Sequence, residues 1–443
     1  MKKLIFSLAL LIFSGYLAGQ GSFSIENRKD YFKQRFELVS DLVLLPVEVN
    51  GVELTFLLDT GINSTLIFSL DSVDSLEIKN ASAIYLSGLG AGKPRRAIKS
   101  LGNSIRVGDA LGTGQTLYIL TGEVQGIAQR LGVPVNGIIG YDFFKDFIVS
   151  FNYPREFMKV YTPEAYKYRR CRRCVDLPLT FNRNKPYLDA VMEMPGEKEV
   201  ETNLLVDSGS GDAVWLFQND EKGIEVPEKS FKDFLGFGIS GSVYGDRSRI
   251  SKLALGKHEL KEVTVSFPDT LYLRQMAAFA KRDGSLGAQV LRRFNPVIDY
   301  PNKRIRLKPN RYFNDPFEYN MSGVVVEHHG RRLVEDKEMG RDLSFSIEDD
   351  DKPGIPVFRS SYRVKFTLAP RYQIAEVRPS SPAAEAGLKK GDVIVTINGR
   401  PVHRFSLDKI TEMFSSREGR KIKLEIERQG EELEFEFRLR KIL

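Results

Sequence analysis

Two acids in this chain interrupt apolar runs: Asp59 in LLDTGINSTLIF and Asp207 in LLVDSGSGDAVWLF. A charge in an apolar strand is costly unless it is paired or hydrogen-bonded. Each acid is followed by a hydroxyl residue and a glycine, Thr60-Gly61 and Ser208-Gly209. One such tripeptide alone reads as a strand end and a turn. Here the surroundings repeat as well. Gly140 closes Ile138-Ile139-Gly140, 81 residues after Asp59 (140 − 59), and Gly287 closes Ser285-Leu286-Gly287, 80 after Asp207 (287 − 207). Phe147 and Tyr153-Pro154 then match Phe294 and Tyr300-Pro301. Two carboxylates within hydrogen-bonding distance cannot both ionise, so they share one proton. Such a pair can take a proton from water with one acid and donate with the other, and needs no metal or cofactor. Gly61 and Gly209 allow a tight backbone turn beside each acid.

The elements that must position these acids are strands. LVLLPVEVNGVELTFLLD alternates and breaks at Asn50-Gly51, a hairpin signal. KPYLDAVMEMPGEKEVETNLLVD does the same around Pro195-Gly196. Each half continues with a glycine-punctuated hairpin and a short apolar strand, IRVGD or LALGK. Gly88 and Gly90 in the first hairpin, and Gly238 and Gly241 in the second, are the candidates for bending points of a mobile flap. Helical stretches are short and directly follow Gly140 and Gly287. The chain therefore holds two copies of one mostly β unit, over residues 38–162 and 175–310.

Four motifs in order at matched spacing resemble the pepsin/retropepsin-like aspartic proteases with both lobes in one chain. The resemblance covers residues 38–310. It implies a two-lobed β-barrel fold and an endopeptidase in which Asp59 and Asp207 activate water for peptide-bond hydrolysis. It further implies that Thr60 and Ser208 tie the two acid-bearing loops together. Two departures stand out. Ile62 occupies the place where pepsin-like enzymes carry serine, while the second copy keeps Ser210. No clear counterpart of a flap tyrosine is found, with Tyr85 only nearby. A Ser-His-Asp site lacks support: His258, His328, His329 and His403 have neither a G-x-S-x-G elbow nor an H-E-x-x-H pattern beside them.

From Tyr372 the chain reads YQIAEVRPSSPAAEAGLKKGDVIVTINGRPV. Ser380-Ser381-Pro382 can cap a short helix that Gly387 ends. The pattern resembles a bacterial PDZ domain, with SLDKITEMFSS as its groove helix and KIKLEIERQGEELEFEFRL as its closing hairpin. Such domains bind peptide C-termini by adding them as a strand. The candidate carboxylate loop is Ser322-Gly323-Val324, which gives a small α+β domain over 316–443. Its charged stretch between His329 and Tyr372 reads as a solvated loop insertion.

The chain has 443 residues, enough for two or three domains, and ordinary globular composition. Its net charge of +7, or +5 without Lys2 and Lys3, is spread along the sequence and does not suggest nucleic acid. MKKLIFSLALLIFSGYLAGQGS has the order of a secretory signal peptide, residues 1–20. Its apolar run is short for a bilayer span. The expectation is an exported periplasmic or extracellular protein with no stable membrane span. Cys171 and Cys174 read as a small-loop disulfide or as idle thiols. The competing function is a catalytically inactive protease fold that binds peptides through its PDZ domain.

Overall fold

A computed structural model describes residues 21–70, 74–86, 88, 92, 94–121, 127–238, 240–270, 282–345 and 358–443. The expected signal peptide and Gly90 lie outside the described residues. Those that are described are mostly strands arranged in four sheets.

The first sheet holds strands from Ser22 to Ile139 and the third those from Thr180 to Leu286. In each, an acid ends the second strand of a hairpin. Strand Leu42–Val49 pairs antiparallel with Val52–Leu58, and Asn50 and Gly51 turn the chain at φ 48° and 88°. Positive φ at both central residues is the demand of a tight type I′ turn, and Asn-Gly meets it best. Strand Lys185–Met194 pairs likewise with Lys198–Val206. In each copy a short strand then threads back beside the acid-bearing one: Gly137–Ile139 runs parallel to Val52–Leu58, and Gly284–Leu286 parallel to Lys198–Val206. Tyr141–Phe144 and Ala288–Leu291 are the short helices that follow the two glycines.

The second sheet joins the copies. Strand Ile148–Asn152 pairs with Val297–Asp299 of the other half. Phe144, Phe147, Phe294, Ile298 and Tyr300 belong to one continuous core that runs through both lobes.

The fourth sheet lies beyond residue 323. Ser381 accepts a hydrogen bond from the Ala384 N–H at 3.3 Å to start helix Pro382–Ala386, and Gly387 ends it at φ 96°. The groove helix is Leu407–Phe414, and the closing hairpin is Lys421–Arg428 with Glu431–Arg438. The stretch expected as a solvated loop is different. It belongs to a long hairpin, Val324–Phe345 against Phe358–Val377, whose tip lies outside the described residues. Leu333, Phe366 and Leu368 are exposed on this hairpin. Val324, Val326, Tyr372 and Ile374 at its base are buried. The charged residues beyond them suggest a loop, yet Val364, Phe366 and Leu368 alternate with polar neighbours as a strand does.

Candidate active site

Each acid is placed by a strand end and then sealed by contacts from the other lobe. The Thr60 N–H donates to Ser208 Oγ and the Ser208 N–H donates to Thr60 Oγ1, both at 3.0 Å. The hydroxyls donate onward across the lobes, Thr60 to the Val206 carbonyl at 2.7 Å and Ser208 to the Leu58 carbonyl at 3.0 Å. Thr60 is fully buried and Ser208 nearly so. Buried hydroxyls that donate and accept once each leave no polar group unsatisfied.

The glycines bring the acids together. A Cβ on Gly61 would lie 2.7 Å from Asp207 Oδ1, and one on Gly209 would lie 2.3 Å from Asp59 Cγ. Each glycine thus faces the other lobe's carboxylate at a range no side chain permits. Asp59 Oδ1 accepts the Gly61 N–H at 2.6 Å and the Gly209 N–H at 3.2 Å, so one acid is held by both loops. Gly140 and Gly287 are needed from behind. A Cβ on Gly140 would meet the Asp59 carbonyl at 2.3 Å and Ile62 Cγ2 at 2.5 Å, and one on Gly287 the Asp212 carbonyl at 2.1 Å.

Burial is the main reason that both carboxyls titrate above the ordinary 3.8. For Asp59 the neighbouring Asp207 adds to it, against the two glycine N–H groups, and the value rises to about 7. For Asp207, Arg282 and then Lys185 oppose the effect of burial, as does a hydrogen bond with Asp59. Burial and the neighbouring acid thus oppose ionisation of Asp59 up to about 7. Tyr300, matched in sequence to Tyr153, donates to the Thr60 carbonyl at 3.3 Å from full burial.

The glycine-rich hairpins meet. The Gly88 N–H donates to Ser240 Oγ at 3.2 Å and the Gly92 N–H to the Ser240 carbonyl at 2.7 Å. Gly238 pairs with Gly241 at the tip of the second hairpin. Tyr85 is 75% exposed.

A buried ionic chain missing from the sequence reading runs outward from the second acid loop. Asp212 accepts the Trp215 indole N–H at 2.6 Å and Arg247 Nη1 at 3.0 Å. Arg247 Nε donates to Asp233 Oδ2 at 2.8 Å, and Asp233 faces Arg378 of the fourth sheet's domain at 3.6 Å. The Arg378 guanidinium also lies 4.2 Å from the Phe231 ring centroid. These partners lie up to 166 residues apart (378 − 212), so no local pattern announces them.

The candidate carboxylate loop is internally bonded. The Gly323 N–H donates to Asn320 Oδ1 at 3.0 Å and the Val324 N–H to Ser322 Oγ at 2.9 Å, while the Ser322 hydroxyl donates to Asn320. Ser322 and Val324 are buried. The expectation that these N–H groups stand open to a peptide carboxylate is therefore corrected: side chains two and three residues earlier occupy them. Helix Ile127–Leu131 of the first lobe packs against strand Val324–Phe345 and helix Leu407–Phe414, the two walls of the expected peptide groove. Cys171 and Cys174 are joined as a disulfide. Among the described residues no group of three or more His, Cys, Asp or Glu is placed to hold a metal ion. No described helix is long and apolar enough to cross a membrane.

Comparison with known proteins divides along the same lines. Residues 45–143 match the family described as aspartyl protease, and residues 338–439 match the PDZ domain family. A solved structure, an aspartic proteinase from Irpex lacteus, is similar with a TM-score of 0.39 and 12% identity over 65% of this chain and 99% of that one. The periplasmic pH-dependent serine endoprotease DegQ of Escherichia coli (strain K12) is 38% identical over 66 residues. That match spans 15% of this chain and 14% of DegQ. This protein thus carries an aspartyl protease domain in its first half and a PDZ domain at its C-terminal end.

Proposed function

We propose that the chain is an exported aspartic endopeptidase in which Asp59 and Asp207 share one proton. The observation that carries this reading is the mutual placement of glycine and acid: Gly61 lies against Asp207, Gly209 lies against Asp59, and Asp59 accepts both N–H groups. The ionised carboxylate takes a proton from water as the water oxygen attacks the scissile carbonyl carbon. The protonated carboxyl gives its proton to the carbonyl oxygen. Return of a proton to the amide nitrogen then breaks the C–N bond and releases a carboxylic acid and an amine. Thr60 and Ser208 hold the loops, and the hairpins around Gly88 and Gly238 to Gly241 cover the cleft. DegQ is a serine endoprotease by name, but none of the four histidines here has a nucleophile elbow to serve.

The PDZ domain is proposed to take an extended peptide segment along strand Val324–Phe345. Such a peptide must displace helix Ile127–Leu131, which makes the groove a regulated site. Export is supported by the N-terminal pattern, by the Cys171–Cys174 disulfide, and by the periplasmic description of DegQ.

The test is cleavage of unfolded casein or a peptide library by purified protein, with Asp59→Asn as control. Cleavage lost in the variant supports the reading, and equal cleavage by both proteins refutes it.

A further inference from the structure

Strand register and turn geometry around the acids correspond in the two lobes, which allows the walls of the cleft to be compared position by position. Strand pairing sets Leu44 opposite Leu57, two residues before Asp59, and Tyr187 opposite Leu205, two before Asp207. The turns that precede them agree as well: Ser40-Asp41 and Arg183-Asn184 all have positive φ, closed by the pairs Val39 with Leu42 and Asn182 with Lys185. Each turn touches the other lobe's acid loop. A Cβ on Gly211 would lie 3.6 Å from the Ser40 carbonyl, and Asn63 Nδ2 donates to the Arg183 carbonyl at 3.4 Å. Lys185 therefore stands where the first lobe has Leu42. By the same logic Arg282, five residues before Gly287, stands where the first lobe has Val135, five before Gly140. Phe217 stands for Phe68: their N–H groups bond the carbonyls of Asp283 and Asn136 at 2.8 and 2.9 Å.

The first lobe's positions are apolar throughout. Leu42, Leu44, Phe68 and Val135 form one buried cluster with Leu57 and Ile138 beside the acid. The second lobe puts two cations in the same frame. Arg282 lies 5.2 Å from the Phe217 ring centroid. Both cations keep part of their surface exposed. The carboxylates acting on them are those of the pair: Asp207 on both, and Asp59 on Lys185. A pair sharing one proton carries one negative charge, and the two cations carry two positive ones. The second-lobe wall thus lacks one negative charge when the site is poised for reaction. Leaving a cation uncompensated in a partly desolvated cleft is unfavourable, and a carboxylate is the group that relieves it.

We infer that the cleft prefers an apolar residue on one side of the scissile bond and an acidic residue, Asp or Glu, on the other, held by Lys185 and Arg282. This specificity rests on the endopeptidase reading above, and its test separates the two. Matched peptides carry Glu or Gln beside the scissile bond, with an apolar residue across it, in both orders. A second set has the scissile bond reduced, so that binding is measured without turnover. The wild-type protein is expected to favour Glu over Gln by about tenfold or more in both kcat/KM and Kd. Arg282→Leu and Lys185→Leu, which install the first lobe's kind of side chain, should bring that ratio toward one. Arg282→Glu should turn the preference toward Lys. If wild type cuts and binds the Glu and Gln peptides equally, the acidic pocket is refuted and the protease reading stands. If the reduced Glu peptide binds more tightly but no peptide is cut, the pocket stands and the catalytic reading falls.

Discussion

In the first lobe Asn136 bonds Thr55 at 2.9 and 2.8 Å, through its side chain and its N–H, and its carbonyl holds Phe68. In the second, Asp283 bonds Asn203 at 2.8 and 2.9 Å in the same way, and its carbonyl holds Phe217. These three hydrogen bonds are thus equivalent in the two lobes. What fills the frames is not: the first lobe presents leucines and valine, the second Lys185, Tyr187 and Arg282. The outer supports differ too. The second acid loop is tied through Asp212, Arg247 and Asp233 to Arg378 of the PDZ domain, whereas the first lobe reaches that domain through Ser40, whose N–H and hydroxyl donate to Asp408. In the proposed reading, chemistry shared between the lobes demands symmetry at the acids, whereas recognition and control are free to diverge around them.

The strongest way to break this comparison is to remove one acid at a time. Asp59→Asn and Asp207→Asn should each cost about 10⁴-fold in kcat, and the double variant should be little worse, since groups acting as one unit are non-additive. A single variant with substantial turnover would refute the equivalence. The glycines come next. Gly61→Ala and Gly209→Ala each push a methyl into the opposite carboxylate, and each should cost about 10²-fold in kcat/KM by displacing the pair. Unequal losses would show that one acid is held more loosely than its partner.

The asymmetric tie is tested by Arg378→Met. The substitution removes one of the two cations that face buried Asp233 and should lower kcat/KM on a short peptide by about tenfold, because buried charge pairs are costly to break. A short peptide does not need the PDZ groove for capture, so an unchanged rate would make the module a tether only. The symmetric tie is tested by Thr60→Ala and Ser208→Ala. Each breaks two buried cross-lobe hydrogen bonds and should destabilise by about 1–3 kcal/mol in denaturant titrations.

The smallest effects concern pH. Burial and Asp207 raise Asp59 to about 7, so in the proposed reading the proton of the pair persists to neutral pH and kcat/KM should fall as pH rises through about 7. The sign for stability is the same. A carboxyl raised in the folded state contributes stability fully below its ordinary 3.8, and this is lost as pH rises through about 7. Asp59→Asn should therefore gain in melting temperature over wild type at pH 8 relative to pH 4. Ile62 offers no hydroxyl where the other lobe has Ser210. Ile62→Ser should shift the acidic limb of kcat/KM downward by less than about one unit, and no shift would remove this difference between the lobes from the account.

The acids, their glycines, the Asn50-Gly51 turn and the capped PDZ helix were legible in the sequence because each rests on neighbours in the chain. A turn needs positive φ at fixed positions, a cap needs a hydroxyl one residue before its helix, and a duplicated unit repeats its spacing. Thr60 and Ser208 needed a family resemblance, since their partners lie about 150 residues away. Lys185 and Arg282 were within reach of the internal repeat, as charged residues where the first copy has Leu42 and Val135, but matching those positions takes strand register. The far part of the long hairpin of the PDZ domain was missed because its charged residues suggest a loop, although Val364, Phe366 and Leu368 alternate as a strand does. Ser322-Gly323-Val324 looked like an open carboxylate loop until folding brought Asn320 and Ser322 onto its N–H groups. The sequence by itself determined which residue types recur, and with them the two lobes and the pair of acids. Tertiary structure alone decided that Gly61 faces Asp207, that two cations share one wall of the cleft, and that Arg378 closes a buried ionic chain. Those depend on contacts between distant segments, whose energy is realised only when the whole chain has packed.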